Sequence, residues 1–203
     1  MGDIEIEKGK IIFLNGVSSS GKTTLSRELQ ERLTDPFYWL SVDTFVVDMM
    51  PKKFFSIDGF NPDGGEPVIF KTVSLAHHTI KFFSDMGINT IVEHLLFPSI
   101  DVQPYKNQIA ECVELLHDYP VLFVHVTCPL EELWRREKER GDRDIGRAEI
   151  QLPHLKATDP YDIDVDTHAN STGECAEKII ELLACSEKFT AFRTLWEQHS
   201  RRE

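Results

Sequence analysis

The chain reads as an α/β fold: a five-stranded parallel sheet with helices on both faces. Three observations predict it. Apolar, β-branched runs alternate with longer segments of helical period. The first run leads through a glycine-bounded turn into a helical segment. The length, 203 residues, suits one domain with a sizeable core. Predicted strands cover residues 10–15, 38–42, 89–93, 121–127 and 163–165. Predicted helices cover 23–33, 67–86, 103–118, 130–140 and 171–185. In such a sheet, ligands bind beyond the C-terminal strand ends. Residues 49–67 break the rhythm with three prolines, three glycines and the aromatics Phe54, Phe55 and Phe60. A loop of that length inside a compact domain is usually functional or mobile. After Ser186, Phe189, Phe192, Leu195 and Trp196 recur near the helical period, so residues 186–203 read as a C-terminal helical extension. Packing back on the domain is the expectation for it; a homo-oligomer contact is the alternative. No internal repeat or second domain is visible, and the expectation is a single domain over 1–203.

Residues 16–23 read Gly-Val-Ser-Ser-Ser-Gly-Lys-Thr, directly after the apolar run Ile11-Ile12-Phe13-Leu14. This is the phosphate-binding P-loop pattern in the strand–turn–helix context it requires. Gly16 and Gly21 are expected to take backbone angles closed to other residues, so that consecutive N–H groups turn inward. Those groups, from Ser18, Ser19, Ser20 and the start of the helix at Lys22, Thr23 and Thr24, would cradle an anion. Lys22 would reach the outer phosphates of ATP, and the Thr23 hydroxyl would ligate the accompanying Mg2+.

The formal net charge of −12 argues against sequence-independent nucleic-acid binding, which needs a basic face. It leaves phosphate binding open, since a P-loop uses backbone dipoles and one lysine. No stretch approaches the ~20 apolar residues of a membrane span, and the acidic start Met-Gly-Asp-Ile-Glu-Ile-Glu-Lys is unlike a signal peptide. Gly2 lacks the Ser or Thr at position 6 that a myristoylation pattern needs. The cysteines at 112, 128, 175 and 185 show no close pairing, which predicts reduced core thiols of a cytoplasmic protein.

Further along, Val42-Asp43-Thr44 is followed by Met50-Pro51 and Asp63-Gly64-Gly65. Then come Arg140-Gly141-Asp142-Arg143 with Gly146, Ala148 and Gln151, and Tyr161-Asp162 leading into Val165-Asp166-Thr167. Ser171 with Glu174-Cys175-Ala176 closes the series. In this order and spacing the chain resembles the chloramphenicol phosphotransferase family of P-loop kinases over nearly its whole length. The resemblance implies the fold of small-molecule and nucleotide kinases, ATP as phosphate donor and a hydroxyl acceptor, in the founding activity the primary hydroxyl of chloramphenicol. An antibiotic-resistance role would follow from that activity.

Phosphoryl transfer needs positioning, charge neutralisation and a group near the acceptor hydroxyl. Asp43 follows the second apolar run, where a carboxylate can orient the hydroxyl and accept its proton. The family's catalytic aspartate lies at this position; the competing reading is an N-cap for a helix from Thr44. Glu93 ends the third strand, where P-loop enzymes commonly hold magnesium through water. The family more often has aspartate there, so Glu93-His94 is a departure. Arg135, Arg136, Arg140, Arg143 and Arg147 suit phosphate and adenine faces, with Arg136, Arg140 and Arg143 matching the family. Interleaved Glu131, Glu132, Glu137 and Glu139 read partly as a salt-bridged helix face. Asp166-Thr167-His168 would border the adenine, chiefly through backbone. Phe45 and the Phe54–Phe60 loop read equally as an aromatic wall for an apolar acceptor or as core. A kinase of another metabolite or nucleotide is the nearest rival function. A non-catalytic nucleotide-binding regulator is another, and it should lack both Asp43 and the arginine-rich lid.

Overall fold

The computed structural model describes residues 7–51, 65–101, 105–141 and 145–201. The five strands are β1 (Ile11–Asn15), β2 (Phe37–Ser41), β3 (Asn89–His94), β4 (Val121–Thr127) and β5 (Ile163–Asp166). All pair in parallel in the order β2-β3-β1-β4-β5. The predicted strands are all present, with ends moved by one residue or less, which is the scatter expected at element boundaries. Val42 is the instructive shift. It leaves the sheet and opens a short helix, α2 (Val42–Thr44), that runs into a π-helical turn, Phe45–Met49.

The other helices are α1 (Lys22–Arg32), α3 (Gly65–Asp85), α4 (Tyr105–Leu116), α5 (Leu130–Arg140), α6 (Arg147–Gln151), α7 (Thr172–Leu183) and α8 (Ala191–Ser200). The short α6 carries no apolar period long enough to be seen in the sequence. Local chemistry sets several ends. Ser171 and Glu174 form a reciprocal capping box at the start of α7. Gly141, at φ 66°, ends α5 in the left-handed conformation.

Alternation along the strands splits the core into two layers. Ile11, Phe13, Val92, Val121 and Phe123 face α3, α4 and α8, where they meet Ile80, Ile109 and Phe192. Ile12, Leu14, Ile91, Leu122 and Val124 face α1 and α7, meeting Leu25, Leu29 and Ile179. β1 is wholly buried because it has a strand on each side and helices on both faces.

The tail forms α8 and closes on this core. Phe192 lies 5.3 Å from Phe13 and 5.0 Å from Phe123 between ring centres. Its start is tied across the fold. Asp162 Oδ1 accepts from the Thr190 and Ala191 N–H groups (2.8 and 3.0 Å), and Oδ2 from Phe123 N–H (2.8 Å). All four cysteines are free. No helix among the described residues is long and apolar enough to cross a membrane.

Asp162→Ala strands three backbone donors at once, so it should cost roughly 2–4 kcal/mol of unfolding free energy. Urea titration followed by tryptophan fluorescence measures it. A change under about 0.5 kcal/mol would show that water replaces the carboxylate.

Candidate active site

The C-terminal rim of the sheet carries a cleft of about 510 Å3. The P-loop between β1 and α1 forms its floor. Here Ser19, not Gly16, takes a left-handed backbone (φ 60°), and Gly21 does so at φ 97°. For a serine this costs about 1–2 kcal/mol, a strain typical of ligand clamps. Gly16 is required for a different reason than the sequence suggested. A Cβ there would lie 2.5 Å from the Val126 carbonyl and 2.8 Å from Ser20 Oγ. Its constraint is close approach to β4, where the phosphate loop leaves the sheet.

The start of α1 is open to an anion. Gly21 is its N-cap and no side chain caps the helix, which leaves backbone N–H groups for a phosphate. Ser19 Oγ and Ser20 Oγ are buried without hydrogen-bond partners, so the cradle holds spare polar capacity. The Lys22 ammonium donates to the carbonyls of Gly16 (2.6 Å) and Val17 (2.9 Å). Thr23 and Thr24 face the cleft on the first turn. The Ser18 N–H donates to Gln151 Oε1 (2.8 Å), joining the P-loop to α6.

Glu93 and Thr23 are brought together from β3 and α1. Thr23 Oγ1 donates to Glu93 Oε2 (2.8 Å), and the Trp39 indole N–H donates to Oε1 (2.6 Å). A hydroxyl beside a carboxylate is a hard-oxygen donor set that fits Mg2+. Among the described residues no cluster of three or more His, Cys, Asp or Glu could hold a metal alone. The set therefore suits an ion that arrives with phosphate oxygens.

Asp43 lines the same cleft, just past the end of β2. It sits inside α2, whose N-cap position is Ser41 and which has no side-chain cap, so Asp43 does not take the capping position considered from the sequence. Arg136, Arg140 and Arg147 also line the cleft. Arg136 spends its fork on the protein: Nη1 donates to Thr167 Oγ1 (3.0 Å) and more weakly to the Ser19 carbonyl (3.4 Å), and Nη2 to the Thr167 carbonyl (3.0 Å). Thr167 Oγ1 in turn donates to the Ser20 carbonyl (2.7 Å). Glu132 accepts from Arg136 Nε (2.8 Å) and from Arg135 Nη2 (2.6 Å). Hydrogen bonds from Arg135 and then Arg136 hold its carboxyl down at about 2. Arg135 also meets Glu139 (2.5 Å), so it belongs to the solvated helix face. Buried Glu137 accepts from the Gly146 and Ala148 N–H groups (both 2.8 Å), fixing the start of α6. Arg143 lies outside the described residues, as do Phe54, Phe55, Phe60 and Asp63-Gly64. Phe45 packs with Val42, Val73 and Ala76 and is not among the residues lining the cleft. Trp39, Val47 and Leu95 supply the apolar lining instead.

Three contributors to the cleft carry little local signal in the sequence. Thr167 acts through its hydroxyl as well as its backbone. Gln151 was only a matching position, and Trp39 was an ordinary strand residue. Trp39 had no signal, since its exposure follows from β2 being an edge strand.

A phosphate cradle at the C-terminal rim of a parallel sheet in this strand order defines the class: a P-loop kinase-like phosphotransferase. Within that class, the chain belongs to the chloramphenicol phosphotransferase-like proteins, whose family model matches residues 9–184. A Mycobacterium tuberculosis protein named "Putative O-phosphotransferase" is 26% identical over 193 residues, covering 86% of this chain and 82% of that protein. The adenylyl-sulfate kinase of Clostridium acetobutylicum is 26% identical over 186 residues, covering 87% and 84%. The structure of the Mycobacterium tuberculosis APS kinase CysC in complex with AMPPNP and APS superposes with a TM-score of 0.61. It is 19% identical and covers 87% of this chain and 98% of that one, a likeness of fold.

Arg136→Ala should detach α5 from the P-loop and from the Thr167 turn. Nucleotide affinity should drop by about 10-fold or more, given roughly 1.5–3 kcal/mol for hydrogen bonds to a charged group. Isothermal titration with a non-hydrolysable ATP analogue checks this. Unchanged affinity would confine Arg136 to helix–helix packing.

Proposed function

We propose that this protein is an ATP-dependent kinase that moves the γ-phosphate to a hydroxyl of a small molecule, with chloramphenicol or a similar aryl diol as the leading acceptor. One observation carries the reading: Lys22, Thr23, Glu93, Asp43 and Arg140 all border a single cleft. The cleft's size is within the range of small-molecule sites.

In this reading the Lys22 ammonium exchanges the Gly16 and Val17 carbonyls for phosphate oxygens. The P-loop backbone and the uncapped start of α1 hold the donor. Arg140, with Arg143 as a further candidate, meets charge on the transferring group. Asp43 orients the acceptor hydroxyl and takes its proton as the new oxygen–phosphorus bond forms and the bond to ADP breaks. Thr23 and Glu93 would hold Mg2+, which supplies charge neutralisation at the phosphates. Trp39 holds the Glu93 carboxylate in place for that purpose. The apolar lining from Trp39, Val47 and Leu95 supports an acceptor with an aromatic or aliphatic face.

A second acceptor reading draws on the similarity to adenylyl-sulfate kinases: a hydroxylated metabolite or nucleotide such as adenylyl sulfate. The two differ only at the acceptor. The deciding experiment is a screen of hydroxylated compounds, with chloramphenicol and adenylyl sulfate included, in magnesium ATP. A single-phosphate mass shift identifies the substrate. A shift on adenylyl sulfate and none on chloramphenicol would overturn the leading reading.

Asp43→Ala should lower turnover on the identified acceptor by roughly 100-fold or more, the contribution expected of a general base. ATP affinity should stay near that of the parent. Lys22→Ala should weaken triphosphate binding or abolish turnover with the fold intact. Parent-like turnover in Lys22→Ala would remove the nucleotide-site assignment, and in Asp43→Ala the base assignment.

A further inference from the structure

A line of polar side chains runs through the α3–α4 layer from an outer groove to the cleft. Ser74 Oγ donates to Glu111 Oε1 (2.6 Å). Glu111 Oε2 meets His77 Nδ1 (3.1 Å), and His77 Nε2 meets His94 Nε2 (3.1 Å). Ser74 and Glu111 border the groove between α3 and α4, while His94 borders the cleft with Asp43 and Lys22. The His77 side chain is completely buried and His94 is 8% exposed. Such a chain inside a core is costly unless each member is satisfied, and this one leaves a single atom over. His94 Nδ1 has no hydrogen-bond partner among the described residues; its ring otherwise meets Phe13 and His77.

We propose that the Glu111–His77 pair locks His94 in the tautomer with its proton on Nε2, so that the bare Nδ1 accepts a hydrogen bond from a second hydroxyl of the phosphoryl acceptor, beside the one that Asp43 receives. This rests on the kinase reading above and names the acceptor class it favours, a diol or polyol over a simple alcohol.

The polarity follows from the end of the line. A carboxylate only accepts, so His77 must donate from Nδ1. The hydrogen bond from His77 is also what chiefly holds the Glu111 carboxyl below its usual range. In the proposed line His77 spends one proton on Glu111 and accepts at Nε2, so His94 donates from Nε2 and its Nδ1 is left as an acceptor. Register brings the two recognition groups to one corner. Ser41 stands opposite Glu93 where β2 pairs with β3, so His94 follows that pair by one residue and Asp43 by two. A site built to pair a hydroxyl discriminates strongly against analogues lacking it, which makes His94 a specificity-determining residue and Glu111 and His77 positioning residues.

The tautomer is read without any substrate, by long-range 1H–15N NMR of the histidine rings in the wild-type protein. The expected result is His94 with Nε2 protonated and Nδ1 bare. Glu111→Gln can turn its carboxamide N–H toward His77 and reverse the line, putting the His94 proton on Nδ1. In that variant KM for the alcohol that gains phosphate in the screen should rise 10-fold or more. KM for ATP and the melting temperature should stay near wild type, and removing the second hydroxyl from that alcohol should matter less than in the parent. A proton on Nδ1 in the wild-type protein overturns the proposal alone, as does an unchanged acceptor KM in Glu111→Gln. An equal fall in ATP affinity and melting temperature would mean that the line only supports packing. Absence of any phosphate adduct from the wild-type screen removes the kinase reading, and this proposal with it.

Discussion

Every functional group discussed above stands where it does because five strands run the same way and end at one rim. Parallel pairing sets Asn15 opposite His94 and His125, Ser41 opposite Glu93, and Thr127 opposite Asp166. Each connection must then cross over a face of the sheet and return, so the loops that follow the strands gather at the same edge. The P-loop follows β1, Asp43 follows β2, and Glu93 and His94 end β3. The hydrogen-bonded ladder is thus what turns residues far apart in sequence into one cleft.

The rim is then stiffened by contacts that join loops to loops. Arg136 and Thr167 tie α5 and the turn after β5 to the P-loop. Asn15 Nδ2 donates to the Leu96 carbonyl (2.9 Å), and the Leu96 N–H donates to Asn15 Oδ1 (2.7 Å), which pins the loop after β3. The Tyr161 hydroxyl meets the same Asn15 amide (2.8 Å), and its ring stacks on His125 and Phe123. Burial drives the Tyr161 hydroxyl pKa upward, so it stays a neutral hydrogen-bonding group. Preorganisation of this kind lets a phosphate cradle act without rearranging at the moment of transfer.

Strain and spare polar groups concentrate at the phosphate loop. Ser19 holds a left-handed backbone, Ser19 and Ser20 bury unpaired hydroxyls, and α1 begins without a side-chain cap. By contrast α7, on the same face of the sheet, begins with a complete capping box. The two helices thus differ at their N-termini: one is sealed by side chains, the other has no side-chain cap.

Much of this was legible in the chain before folding. The apolar runs named all five strands, because buried strands have little freedom in composition. The P-loop, Asp43, Glu93 and the arginines on α5 stood out as candidates because the chemistry proposed for them needs particular residue types at short, local spacings. The reason for Gly16 was not readable, since it depends on the carbonyl of Val126, 110 residues away. Nor was the indole of Trp39 on Glu93, the hydroxyl of Thr167 on the Ser20 carbonyl, or the line from Glu111 through His77 to His94. Local sequence determines which backbone forms and which reactive groups are present. Contacts between groups 17 to 147 residues apart are decided only by sheet order and helix packing, which is why these partners appear only in the tertiary structure.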